Sequence, residues 1–87
     1  MRIPHRKGVF IMTKQRFFNE IKKEAASYTY SNGAPMSMPK YALIRIFVKD
    51  STWETIIQDK EVANDYLNEF VRENLLRQTS DECFLVV

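Results

Sequence analysis

The chain holds one cysteine, one histidine and two glycines among its 87 residues, and each shortage closes off a class of function. A single cysteine, Cys83, cannot close an intrachain disulfide. The small secreted disulfide scaffold is therefore excluded, and the expected location is cytoplasmic, in a bacterial or mobile-element protein. Two glycines, Gly8 and Gly33, cannot build the glycine-rich loops that cradle phosphates or dinucleotides. The only histidine, His5, falls within the first eleven residues. In the rest of the chain neither Cys83 nor any serine or threonine has a histidine base, and no zinc-ligand spacing occurs. No apolar run approaches the roughly 18 residues of a membrane helix. The expectation is a protein with no catalytic residues, no metal, no cofactor and no membrane segment.

The charge balance divides the chain in two. The full sequence carries 13 Lys+Arg against 11 Asp+Glu, a net of +2. Residues 1–11, MRIPHRKGVFI, hold Arg2, Arg6 and Lys7 and no acid, so residues 12–87 carry 10 basic and 11 acidic groups, a net of −1. The basic character belongs to the tail. A second methionine, Met12, follows it at once, and Arg6-Lys7-Gly8-Val9 can be encoded by a purine-rich run of the kind that pairs with bacterial ribosomal RNA. Residues 1–11 are thus expected to be either a native basic tail or translated leader sequence. A CGU or CGC codon at Arg6 would rule out the leader. A secretory signal is not expected, since the apolar stretch after the charges is shorter than about 7 residues.

What is present is ample apolar material: 45% hydrophobic and 13% aromatic residues, enough for one core and one domain over residues 12–87. Thr13 is placed to cap a helix running to about Tyr28, with Phe17, Ile21, Ala25 and Tyr28 on one stripe. Asn32-Gly33 reads as its stop signal. A loop follows, with Pro35 and Pro39 and with Met36 and Met38 as core anchors. Residues 41–48, YALIRIFV, read as a central strand from their β-branched and aromatic content. Residues 51–58, STWETIIQ, are divided. Ser51 and Glu54 have capping-box spacing, while Thr, Trp and Ile favour a second strand. Asp59 is placed to cap a helix over residues 60–78, with Ala63, Tyr66, Leu67, Phe70, Val71 and Asn74 on its apolar face. Residues 83–87, CFLVV, read as a final strand.

The expected fold is a small two-layer α+β domain in the order α-β-β-α-β. Its three-stranded mixed sheet has strand order 2-1-3, a right-handed crossover joins strands two and three, and two helices lie on one face. The other face of residues 41–48 is then open, and on a strand it groups Tyr41, Leu43, Arg45 and Phe47.

Two functions compete for that face. Tyr41, Leu43 and Phe47, with Trp53 nearby, suit a small non-catalytic module that binds another protein or self-associates as a homodimer. Tyr41 and Phe47 bracketing Arg45 suit stacking of single-stranded nucleic acid, with the basic tail on phosphate. The protein-binding reading is preferred because residues 12–87 are not basic. Asp65, Glu69 and Glu73, four apart, are expected to be a solvated helix face rather than a metal or acid/base site.

Overall fold

The structure, a computed structural model, describes residues 12–87. The expectations for residues 1–11 lie outside the described residues. The elements are α1 (Lys14–Ala25), β1 (Met38–Pro39), α2 (Lys40–Val48), α3 (Ile56–Arg72), β2 (Leu76–Ser80) and β3 (Cys83–Val86).

Helix α1 starts where Thr13 can cap it. The Thr13 hydroxyl accepts the Arg16 N–H at 3.1 Å, satisfying one of the free donors of the first turn. Phe17 and Ile21, four residues apart, are fully buried. The helix ends at Ala25, well before Asn32-Gly33. That dipeptide instead forms the tip of a small hairpin-like loop. The Gly33 N–H donates to the Tyr30 carbonyl, Gly33 takes φ +87°, and the Asn32 side chain accepts from the Ala34 N–H. Met38 is buried at the start of β1, as a loop anchor should be.

Residues 41–48 are not a strand but the body of α2. The physical reason lies in burial. Ala42, Leu43, Phe47 and Val48 are buried, while Tyr41 and Arg45 face outward four residues apart. Two-residue alternation cannot sort these side chains; a helical turn of 3.6 residues does. Phe47 meets Phe17 edge-on at 4.7 Å and Tyr66 at 5.8 Å, and Phe17 reaches Phe70 at 5.9 Å. Each such buried ring contributes roughly 1.5–3 kcal/mol, which outweighs a β-propensity difference of about 1 kcal/mol at most.

Residues 51–55 are a turn and residues 56–58 the start of α3, so this stretch is not a second strand. The Ser51/Glu54 capping box does not form: the N-cap of α3 is Thr55, whose side chain caps no helix N–H and instead accepts the Thr52 N–H at 3.3 Å. Asp59 is not a cap. It lies inside the first turn of α3, buried, and accepts a hydrogen bond from the Ser51 hydroxyl at 2.5 Å. There its charge suits the positive end of the helix dipole.

Helix α3 also stops early. Asn74 takes φ +62°, the Leu75 N–H donates to the Phe70 carbonyl, and the Asn74 N–H donates to the Val71 carbonyl. This is the paired bonding of a left-handed C-terminal cap, and Asn tolerates that conformation better than most residues. Residues 76–80 then form β2, where the expectation was helix to residue 78 and a turn from 79.

The sheet is antiparallel throughout, in the order β1-β3-β2. Met38 lies opposite Phe84, Leu76 opposite Val86 and Arg77 opposite Leu85, with an irregularity between Gln78 and Ser80. The mixed sheet, the 2-1-3 order and the parallel crossover are therefore replaced by a β2–β3 hairpin flanked by a short β1. Met38, Leu76 and Phe84 join one core with Phe17, Leu43, Phe47, Leu67 and Phe70 from the helices. The outcome is a small compact α+β domain with three helices rather than two.

Candidate functional site

The five residues singled out from the sequence do not share a face. Leu43 and Phe47 are core, on the inner side of α2, with 0% and 6% exposure. Tyr41, at 67%, and Arg45 project from the outer side of the same helix. Their positions four residues apart let the Arg45 guanidinium lie over the Tyr41 ring, 5.5 Å from its centroid. Trp53, at 84%, stands on the turn that joins α2 to α3. The single aromatic strand surface that would have served either function does not form. Its premise was two-residue alternation, and the backbone there is helical.

A different surface takes its place. The outer ridge of α2, Tyr41 and Arg45, separates two hollows. One, of about 340 Å³, lies toward the end of α1 and is lined by Glu24, Tyr28, Ile46 and Lys49 beyond the ridge. The other, of about 440 Å³, lies between α2 and α3. Its walls are Ile44 and Val48 on one side and Ile56 on the other, with Arg45 and Lys60 at its rim. Next to Ile56, Ile57 is 72% exposed. Trp53 and Ile57 are the two most exposed large apolar side chains of the helical half, four residues apart across the start of α3. Water contact at both is a standing cost that partner burial would remove.

The electrostatics of this corner are one-sided along α2. Residues 40–49, KYALIRIFVK, contain three cations and no acid. Lys40, Arg45, Lys49 and Lys60 have no ion-pair partner within 4.0 Å among the described residues. Acids border the region: Asp50 and Glu54 on the α2–α3 turn, and Glu61 and Asp65 along α3 beyond Lys60.

The carboxylate row on α3 has a structural explanation. Lys14 of α1 reaches Glu69 at 2.6 Å and Glu73 at 2.9 Å. The hydrogen bond to Glu69, then the one to Glu73, raises the Lys14 pKa above its ordinary 10.5, and the Lys14 hydrogen bond lowers Glu69 below its ordinary 4.5. No three His, Cys, Asp or Glu side chains converge among the described residues. Cys83 is a half-buried free thiol in β3. Among the described residues no helix is long and apolar enough to cross a membrane.

Ile57 and the cations Lys40, Lys49 and Lys60 were not legible as site residues in a strand-based reading. The available signal was the four-residue spacing of Tyr41, Arg45 and Lys49, which marks the polar side of a helix. The fold and surface together describe a small α+β domain with an apolar, cation-rimmed groove between two helices. Comparison of the chain with protein-family models, curated proteins and solved structures finds no match.

Proposed function

We infer that this protein is a small non-catalytic binding module that presents its α2–α3 corner to another polypeptide. The observation that carries this reading is Trp53 at 84% exposure, on a turn whose two flanking helices enclose an apolar groove. Tryptophan is the residue most enriched where partners anchor to each other, and a helix groove beside it gives an incoming side chain somewhere to go. Tyr41 and Arg45 form the adjoining ridge. The lone Cys83 thiol, with nothing in the chain to pair with, supports a reducing compartment such as the cytoplasm. The nucleic-acid reading has lost its main support, since Phe47 is buried and residues 12–87 carry a net of −1.

A photo-crosslinking residue at position 53, and separately at 57, tests the reading, with position 77 on β2 as control. Protein adducts at 53 and 57 but not at 77 are expected. An adduct of twice the chain mass, matched by a solution mass that rises with concentration, identifies the partner as a second copy. Adducts at all three positions alike, or at none, would sink the proposal, and nuclease-sensitive adducts would replace it with the nucleic-acid reading.

A further inference from the structure

Four cations gather in the α2–α3 region: Lys40 at the start of α2, Lys60 on α3, and Arg45 and Lys49 at the C-terminal end of α2, where Arg45 also lies over the Tyr41 ring. Lys40, Arg45, Lys49 and Lys60 lack ion-pair partners among the described residues. Lys40 opens α2, where the helix dipole favours an acid, and the first turn contains none. Lys14 is paired, with Glu69 and Glu73, whereas Lys22 and Arg77 also lack an ion pair among the described residues, so what marks the four cations is their grouping in one region. Unpaired cations also border a groove with an aliphatic interior, between Ile44, Val48 and Ile56.

We propose that this groove receives a short acidic segment of a partner protein. One bulky apolar side chain of that segment seats among Ile44, Val48 and Ile56, and carboxylates beside it meet Arg45 and Lys60. The inference rests on the corner being a protein-binding surface and adds the partner's chemistry. Charge complementarity selects an acidic partner: α2 carries Lys40, Arg45 and Lys49 and no acid, with Glu24 of α1 beside Arg45 and Lys49 on the far side of the ridge, and rim charges of this kind steer encounter and set specificity. The surrounding acids decide which anion fits. Asp50 and Glu54 flank Trp53, and Glu61 and Asp65 lie beyond Lys60. A nucleic-acid backbone or an anionic membrane presents continuous negative charge and would meet these carboxylates. A peptide can place its acids over α2 and its apolar residues toward Trp53. Apart from Tyr41, one face of which carries Arg45, the apolar lining of the groove is aliphatic, so its interior suits an apolar side chain better than a stacked base.

The test is selection of displayed random peptides on the full chain, with counter-screening on Arg45→Glu/Lys60→Glu. Arg45→Gln and Lys60→Gln, each checked by circular dichroism, serve if the double variant does not fold. Peptides with Asp or Glu on either side of Leu, Phe or Trp are expected. Their affinity should fall about tenfold or more in the variants and weaken as salt screens the rim charges. Enriched peptides without excess acid, acidic peptides indifferent to the variants, or no enrichment at all would overturn the proposal. Tighter binding to phosphatidylserine vesicles, or to single-stranded oligothymidine, would overturn it in favour of a membrane or nucleic-acid partner. Crosslinking to protein at position 53 reads the broader function separately: adducts there without acidic selection leave a binding module whose partner has other chemistry.

Discussion

The two ends of α3 are built on opposite terms. At its C-terminal end the main groups have internal partners, although Leu75 stays 37% exposed. Lys14 pairs with Glu69 and Glu73 and lies 5.8 Å over the Phe70 ring; Asn74 closes the helix; and the chain returns at once into β2. At the N-terminal end Trp53 and Ile57 stand in water, and Arg45 and Lys60 face a groove without counter-ions. Both ends combine aromatic and charged residues in similar numbers. What differs is how far the groups are satisfied within the chain. Composition therefore does not distinguish a packed corner from an exposed one, but satisfaction of the groups does.

The aromatic pair sharpens this contrast most. Phe70→Ala should cost about 3–5 kcal/mol, since the ring is buried against Phe17 and Phe18 and leaves a cavity. Urea denaturation followed by circular dichroism measures it. A loss under about 1 kcal/mol would mean that the C-terminal end is not the anchored one.

Two hydrogen-bonded positions come next. Asn74→Ala should cost about 1–2 kcal/mol, because alanine is strained at positive φ, whereas Asn74→Gly should be neutral or stabilising. At the other end, Ser51→Ala removes a bond to the buried Asp59 carboxylate and should cost about 1–2 kcal/mol. A Ser51 effect well above the Asn74 effect would make the exposed corner the more tightly held of the two. Denaturant midpoints at constant slope decide between them.

The ion pair gives a pH signature confined to one end. Glu69 is lowered by its bond from Lys14, so its contribution is present above the ordinary carboxylate value and lost as pH falls through the folded value. Lys14 is raised by the same carboxylates. Its contribution is present below 10.5 and lost as pH rises through the folded value. Lys14→Met should therefore flatten stability against pH on both the acid and alkaline limbs. A parallel shift of the whole curve by Lys14→Met, with both limbs kept, would place the pH dependence elsewhere.

The smallest effect is the most telling. Trp53→Ala should alter stability by no more than about 0.5 kcal/mol, against several for Phe70. As the sole tryptophan, Trp53 reports directly on its surroundings. Its emission should match that of tryptophan in water and quench readily with iodide in the free protein. Blue-shifted, protected emission in a monomer would contradict an open corner.

Several elements were legible from the residues alone. Thr13 before the Phe17–Ile21 stripe marked α1, Met38 read as an anchor, and the CFLVV run marked β3. The Ala63–Leu67–Phe70 spacing marked most of α3. Each signal is local: a cap, a period or an apolar run. The errors came where two local signals competed. Residues 41–48 combine β-branched content, which favours a strand, with the four-residue spacing of Tyr41 and Arg45, which favours a helix, and the helix prevails. Asn74 fits an apolar stripe by position and a helix stop by backbone preference, and the stop prevails. The site was half legible for the same reason. Tyr41, Arg45 and Trp53 do reach the surface, whereas Leu43 and Phe47 turn inward with the helix.

By itself the sequence determined that residues 12–87 have the apolar content for one core, that α1 begins after Thr13, and that no catalytic motif is spelled out in contiguous residues. Tertiary structure decided the state of residues 41–48. Their side chains suit either backbone in isolation, and only packing of Leu43 and Phe47 among Phe17, Leu67 and Phe70 favours the helix. That choice then fixed the surface, because a helix turns Tyr41 and Arg45 outward beside a groove, where a strand would have laid them in line with Phe47.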